Sequence, residues 1–171
     1  MTAPTLPPWL DWARREIGVQ EIVGPRHNAR VVEYWALGRV ALDVNTDEVP
    51  WCAAFVAAAL EQTGYRSTRS GLARSYDRSE HMRTLAQPGL GAIVVLSSPR
   101  GPTLGHVGFV EALDTQRVWV LGGNQNNAVN VAAFPRSRVI GWRVPALWRA
   151  PLHPAPERPV GGLVLARASD G

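Results

Sequence analysis

The stretch DEVPWCAAFVAAAL holds Cys52, the only cysteine in the chain, beside Trp51 and two residues after Pro50. A thiol attacks a carbonyl carbon as thiolate, and a free cysteine with a pKa near ~8.5 is only a few per cent ionised at neutral pH. Cys52 stands where an apolar helix begins, so unpaired backbone N–H groups and the helix dipole favour negative charge on its sulfur. That effect reaches ~2 kcal/mol, or about one and a half pKa units at ~1.36 kcal/mol each. Full activation, to a pKa near ~4, requires an adjacent imidazolium as well.

Four histidines could supply it: His27, His81, His106 and His153. His27 falls in an early loop, His81 in a polar segment and His153 in a proline-rich tail. His106 opens the strand-like run GHVGFV behind the loop SSPRGPTLG, with Gly105 and Gly108 expected to leave room for its ring. A base of this kind needs a partner that accepts its second ring proton. The next strand ends in VLGGNQNN, and antiparallel neighbours bring the end of one beside the start of the other. This places Asn124 and Gln125 beside His106, with Asn124 a candidate acceptor for its N–H, and with Gln125, Trp51 and Glu21 expected around the oxyanion and substrate cleft.

These residues need elements to carry them. Pro8 to Ile17 has helical spacing with proline at the start and Gly18 at the end. A second helix is predicted over Ala29 to Leu37, with Asn28 as its cap and Gly38 as its stop. The third has Pro50 in its first turn and Gly64 at its end. GLARSYDRSEHMRTL reads as short helix and loop. After Gly89 the apolar runs shorten and β-branched residues dominate: GAIVVLSS, HVGFVEAL, RVWVLGG, AVNVAAF and RVIGWRV, which predict an antiparallel meander of about five strands. Helices followed by strands give an α+β architecture with the helices on one face of the sheet.

The 171 residues, 46% of them apolar, suffice for one core. One domain is expected over residues 1–148, with 149–171 as a Pro/Gly-rich tail. A single cysteine excludes an internal disulfide. The net charge is +4 and every cationic residue other than histidine is arginine. The arginines are scattered, which points to mild attraction for polyanions such as wall polymers and away from nucleic acid. The N-terminus has no basic-then-apolar signal pattern, and no apolar run nears the ~20 residues of a membrane span. The expectation is a chain made in the cytoplasm that reaches its place of action by phage lysis, tail delivery or specialised secretion.

Taken together and in order, DEVPWCAAFVAAAL, GAIVVL, GHVGFVEAL, VLGGNQNNAVNVAAFP and VIGWRVP resemble the CHAP and NlpC-type cysteine hydrolases, and in particular a phage-associated subgroup of cell-wall hydrolases. The resemblance spans about Trp9 to Pro145. It implies a papain-like fold with the nucleophile on a helix and the base on a sheet, and hydrolysis of amide bonds in peptidoglycan. Carried onto this chain, it makes Cys52 the nucleophile, His106 the general base and then acid, and Asn124 the polar third member. Relatives often have Gly-Asp-Ile where this chain has Gly-Ala-Ile at Ala92. Endopeptidase and N-acetylmuramoyl-L-alanine amidase activities both remain open. So do a non-catalytic wall-binding or structural module on the same fold and a papain-like acyltransferase.

Some relatives bind calcium near DVNTDE, where Asp43, Asn45 and Asp47 alternate. Glu48 stands where a calcium loop needs glycine and Ala54 where it needs an acid, so no cofactor is expected and Asp47 reads as a helix cap. The expected partner is a peptidoglycan stem peptide or cross-link, acted on by a monomer. An immunity or inhibitor protein, or a phage or secretion assembly docking the C-terminal tail, is a further expected partner.

Overall fold

A computed structural model of the protein describes residues 3–22, 24, 26–41 and 50–159, and 165–166 as backbone only. The calcium candidates Asp43, Asn45 and Asp47 lie outside the described residues.

Helix α1 covers Pro8–Arg15 and buries Trp9, Leu10 and Ala13, the face set by its i, i+1, i+4 spacing. It stops short of Ile17, and Gly18 follows with a left-handed φ of 103°. Helix α2, Ala29–Leu37, has the predicted bounds. Asn28 caps it by accepting a hydrogen bond from the Arg30 N–H at 2.9 Å.

Helix α3, Cys52–Glu61, is buried at every residue except Glu61. A helix apolar all round belongs inside a core, and this one lies between α1 and α2 on one side and the sheet on the other. Its five alanines, at 53, 54, 57, 58 and 59, permit close approach: a Cβ at Gly38 would come within 2.6 Å of the Ala57 Cβ. Pro50 precedes the helix instead of sitting in its first turn, because Trp51 is the N-cap and Cys52 the first helical residue. A short α4, Ser75–Arg78, follows.

The strands are β1 (Met82–Leu85), β2 (Ile93–Ser98), β3 (Gly101–Leu113), β4 (Arg117–Gln125), β5 (Ala128–Pro135), β6 (Val139–Pro145) and β7 (Leu165–Ala166). They form one sheet in the order β1-β6-β2-β3-β4-β5-β7. All pairings are antiparallel except that of the two-residue β7, which runs parallel to β5. The architecture is the expected α+β, papain-like one, with β1 and β7 added at the edges, but only β2 to β5 form the predicted meander, because β6 crosses over to pair with β2 and β1 instead of β5. The extra β1 comes from the segment read as short helix and loop, where MRTL pairs with the end of β6.

Alternation on the central strands buries both faces of the sheet. Ile93, Val95, Val107, Phe109 and Leu121 face the helices, while Val94, Leu96, Val110 and Val120 belong to a second cluster on the far side. Ala92 is fully buried in that second cluster, where a carboxylate would lose its water. Leu152 and Ala155 cover part of this face. The chain holding them is tied down by backbone bonds, His153 O accepting from Leu90 N and Pro156 O from Leu113 N, each at 2.8 Å. On the helix side, Arg14 of α1 grips Glu111 of β3 with two hydrogen bonds, Nε to Oε1 at 2.8 Å and Nη2 to Oε2 at 2.7 Å, and the carboxylate is fully buried.

Candidate active site

Cys52 opens α3 and is 8% exposed. Burial pushes its thiol above the usual value, opposed by the backbone N–H groups of Val107, Ala53 and Cys52 itself, which favour the thiolate. One of these donors belongs to the strand and the others to the helix start, so the sulfur lies at the seam between α3 and β3.

His106 enters the same place from β3. Cys52, His106, Asn124, Arg100 and Arg138 share a small cavity of about 90 Å³ with Pro50 on its rim. Cys52 also borders a larger trough of about 660 Å³, whose walls include Trp35, Val40, Leu72, Ala73 and Leu104. Among the described residues, no hydrogen bond joins the thiol and the imidazole.

The imidazole is held from behind. Its Nε2 lies 2.9 Å from Oε1 of Gln125, and its ring packs on Phe134 at 5.3 Å between centroids. Gln125 is fully buried, and its own Nε2 meets Val120 O at 3.1 Å, Asn130 O at 2.8 Å and Asn130 Oδ1 at 2.9 Å. Asn130 Nδ2 in turn donates to Gln125 O at 2.7 Å. Reversing the Gln125 amide would aim its oxygen at three other oxygens, so the network assigns Oε1 to the histidine. An amide oxygen accepts only, and His106 therefore carries its proton on Nε2. Nδ1 keeps the lone pair, the form a general base requires.

Burial lowers His106 from the ordinary 6.5 to about 4, with the charge of Arg138 adding to the effect and the Gln125 hydrogen bond opposing it. Both shifts favour uncharged forms. Together they favour a thiol beside a neutral imidazole at rest.

The expected third member changes identity. Asn124 was expected to accept from the imidazole, yet that role falls to Gln125, and Asn124 lines the cavity instead. The reason is a bulge: the register of β4 against β5 shifts between Gly122 and Gln125, and Asn124 takes a left-handed φ of 58°. Asn126 and Asn127, at φ 49° and 59°, then form a two-residue turn of the primed type. An inserted residue reverses which side chain points inward.

The glycines expected to clear the ring also differ. Gly105 approaches Arg74 and Leu96 O, and Gly108 approaches Val120 and Leu121 O. Gly105 lines both cavities, but Gly122 is the glycine that clears the imidazole: a Cβ there would lie 2.5 Å from Gln125 Oε1 and 3.2 Å from His106 Nε2.

Three cleft expectations are corrected likewise. Trp51 is fully buried and donates its indole N–H to Glu21 Oε1 at 2.7 Å. A Cβ at Gly123 would meet its ring at 2.6 Å, so Trp51 is a floor under the end of β4 and forms no wall of either cavity. Glu21 accepts that bond while its own N–H donates to Asn127 O at 2.8 Å, and it lines neither cavity among the residues named above. Gln125 is placed behind the histidine instead of in the cleft. The other three histidines stay away from Cys52: His27 is exposed, and His81 and His153 border neither cavity.

Sequence reasoning missed Asn130, Phe134 and Arg138. Nothing in AVNVAAFPRSR marks them, although one polar residue amid an apolar strand, Asn130, is the kind of buried polar group that must have a partner.

A helix-borne thiol and a sheet-borne imidazole on an α+β scaffold define a papain-like cysteine hydrolase arrangement. Residues 44–124 match the family model of the CHAP domain, so this stretch of the chain is similar to CHAP domains. The match takes in Cys52 and His106 and ends at Asn124, one residue before Gln125. No curated protein matches the chain. No helix of the described residues is long and apolar enough to cross a membrane, and no group of three or more His, Cys, Asp or Glu among them could hold a metal ion.

Proposed function

We propose that the chain cleaves an amide bond of peptidoglycan, with Cys52 as nucleophile, His106 as base and acid, and Gln125 as the residue that orients His106. The observation that carries this reading is the locked tautomer: Gln125 accepts from Nε2–H and leaves Nδ1 as the proton acceptor in the cavity that Cys52 shares.

The steps follow from that arrangement. As Sγ attacks the carbonyl carbon, the thiol proton passes to Nδ1, and the carbonyl π electrons move to oxygen. The first-turn N–H of Cys52 is a donor suited to that oxyanion. His106 then protonates the leaving nitrogen from Nδ1, the C–N bond breaks, and a thioester remains. Water attacks the thioester with Nδ1 as base, and the proton returns to sulfur as the acid departs.

Mass spectrometry of peptidoglycan digested by wild type and by Cys52→Ala tests the reading. New fragments with wild type alone support it, and their masses decide between endopeptidase and amidase. Undigested peptidoglycan with both proteins would refute it.

A further inference from the structure

The small cavity beside Cys52 is lined by two arginines and by no carboxylate among the described residues. Arg100 sits in the β2–β3 turn, where its backbone N–H donates to Ser98 Oγ at 3.2 Å; its exposed guanidinium has no ion-pair partner among the described residues. Arg138 ends the 3-10 turn Arg136–Arg138 ahead of β6. Its Nε and Nη2 both donate to Ser97 O, at 3.0 and 2.8 Å, and its guanidinium lies 5.4 Å from the centre of the Phe134 ring. The same backbone oxygen and ring that fix its position leave Nη1 without an acceptor among the described residues. Several arginines of the fold are matched with acids, Arg14 with Glu111, Arg30 with Glu16, Arg69 with Glu61 and Arg143 with Asp77, whereas Arg83 and Arg136, like Arg138, are held by backbone oxygens but line neither cavity beside Cys52.

Arg138, held by a backbone oxygen and a ring, and the solvated Arg100 make this end of the site cationic among the described residues, which suits an anionic group. The cavity, at about 90 Å³, has room for a carboxylate and little more. On the other side of Cys52 the 660 Å³ trough is walled largely by apolar side chains and has no carboxylate of its own among the described residues. Arg100 and Arg69 also line the trough, Arg100 standing where the two cavities meet, so Arg138 is the cation particular to the small one and the trough's apolar wall lies beyond Arg100.

We propose that Arg100 and Arg138 form a carboxylate-binding subsite adjoining Cys52, so that the chain selects amides whose neighbouring residue carries a free carboxylate. This rests on the hydrolase reading for its substrate, since stem peptides present carboxylates on their acidic residues and C-termini. It also gives orientation: the carboxylate end lies over Arg138 and the bulkier, less charged end enters the trough. A carboxylate on Arg138 additionally offsets the positive charge that disfavours protonated His106, so the preferred substrate helps the base accept its proton.

The test uses soluble peptidoglycan fragments with their carboxylates free and the same fragments converted to carboxamides. Binding is read by calorimetry on Cys52→Ala, and turnover on the chain with Cys52 intact. Charge-assisted hydrogen bonds predict roughly tenfold or greater preference for the free carboxylates, collapsing towards one in Arg100→Gln/Arg138→Gln. Should the double variant fail to fold by circular dichroism, Arg100→Gln alone, in an exposed turn, is expected to reduce the preference several-fold. Equal binding of the two preparations, or none, overturns the subsite whatever the turnover. Preferential binding with no cleavage of either preparation upholds the subsite and removes the hydrolase reading.

Discussion

Gln125 Oε1 and His106 Nε2 are 2.9 Å apart, and the glutamine is the member of the pair that cannot turn. Its amide nitrogen is committed to Val120 and Asn130, so the direction of the His106 bond is dictated from the next two strands. Gln125→Ala frees the ring and its tautomer. The expected result is a fall in kcat of about 10²-fold or more with a smaller change in KM. Asn124→Ala should cost less than Gln125→Ala, and the reverse order would restore Asn124 as the orienting residue.

A single methyl group offers an independent approach to the same bond. In Gly122→Ala the new Cβ would lie 2.5 Å from Gln125 Oε1. Activity should fall by at least tenfold with neither partner replaced, and a structure of the variant should show the His106–Gln125 distance lengthened.

A neutral resting pair has a spectroscopic consequence. With the thiol above its ordinary value and His106 near 4, wild type and Cys52→Ala should show the same thiolate ultraviolet absorbance from about pH 5 to 8. A thiolate signal in that range would mean that an ion pair forms instead. Arg138→Gln removes a positive charge that disfavours imidazolium, so the acid limb of kcat/KM should move to higher pH.

The same histidine links stability to acidity. Its folded value is below the unfolded one, so as pH falls from 6.5 to about 4 the unfolded chain takes up a proton that the folded chain refuses. The stability contribution is complete above pH 6.5 and is lost through that window, by about 2–3 kcal/mol. Denaturation of Cys52→Ala followed against pH should show this slope, and adding His106→Gln should flatten it.

The pair Arg14–Glu111 tests the frame and leaves the chemistry aside. Arg14→Leu strands a fully buried carboxylate and should destabilise the fold by about 3–5 kcal/mol. Replacing Glu111 as well, by Gln or Leu, should recover much of that loss in urea denaturation. An Arg14→Leu protein as stable as wild type would mean that the ion pair adds nothing to the frame.

What the sequence disclosed depended on whether the signal was local. Asn28 and Gly38 bracket α2 because capping is a matter of a few adjacent residues. Cys52 and His106 stood out as candidates because their residue types are scarce, and Cys52 does open α3, whereas β3 begins five residues before His106. The exchange of Asn124 for Gln125 was hidden because it turns on a bulge, and a bulge is a relation between two strands. Strand β1 was hidden for a similar reason: MRTL lacks a β-branched run and is a strand only because β6 lies beside it. Trp51 looked like a cleft wall next to the nucleophile, but its indole N–H is taken by Glu21, thirty residues earlier.

The groups that hold His106, namely Gln125, Asn130 and Phe134, all come from the hairpin of β4 and β5. Hairpins of this kind can open as a unit at a free energy below that of whole-chain unfolding. Inactivation on warming would then run ahead of helix melting, and rejoining one ribbon to the sheet would restore the enzyme without refolding α3.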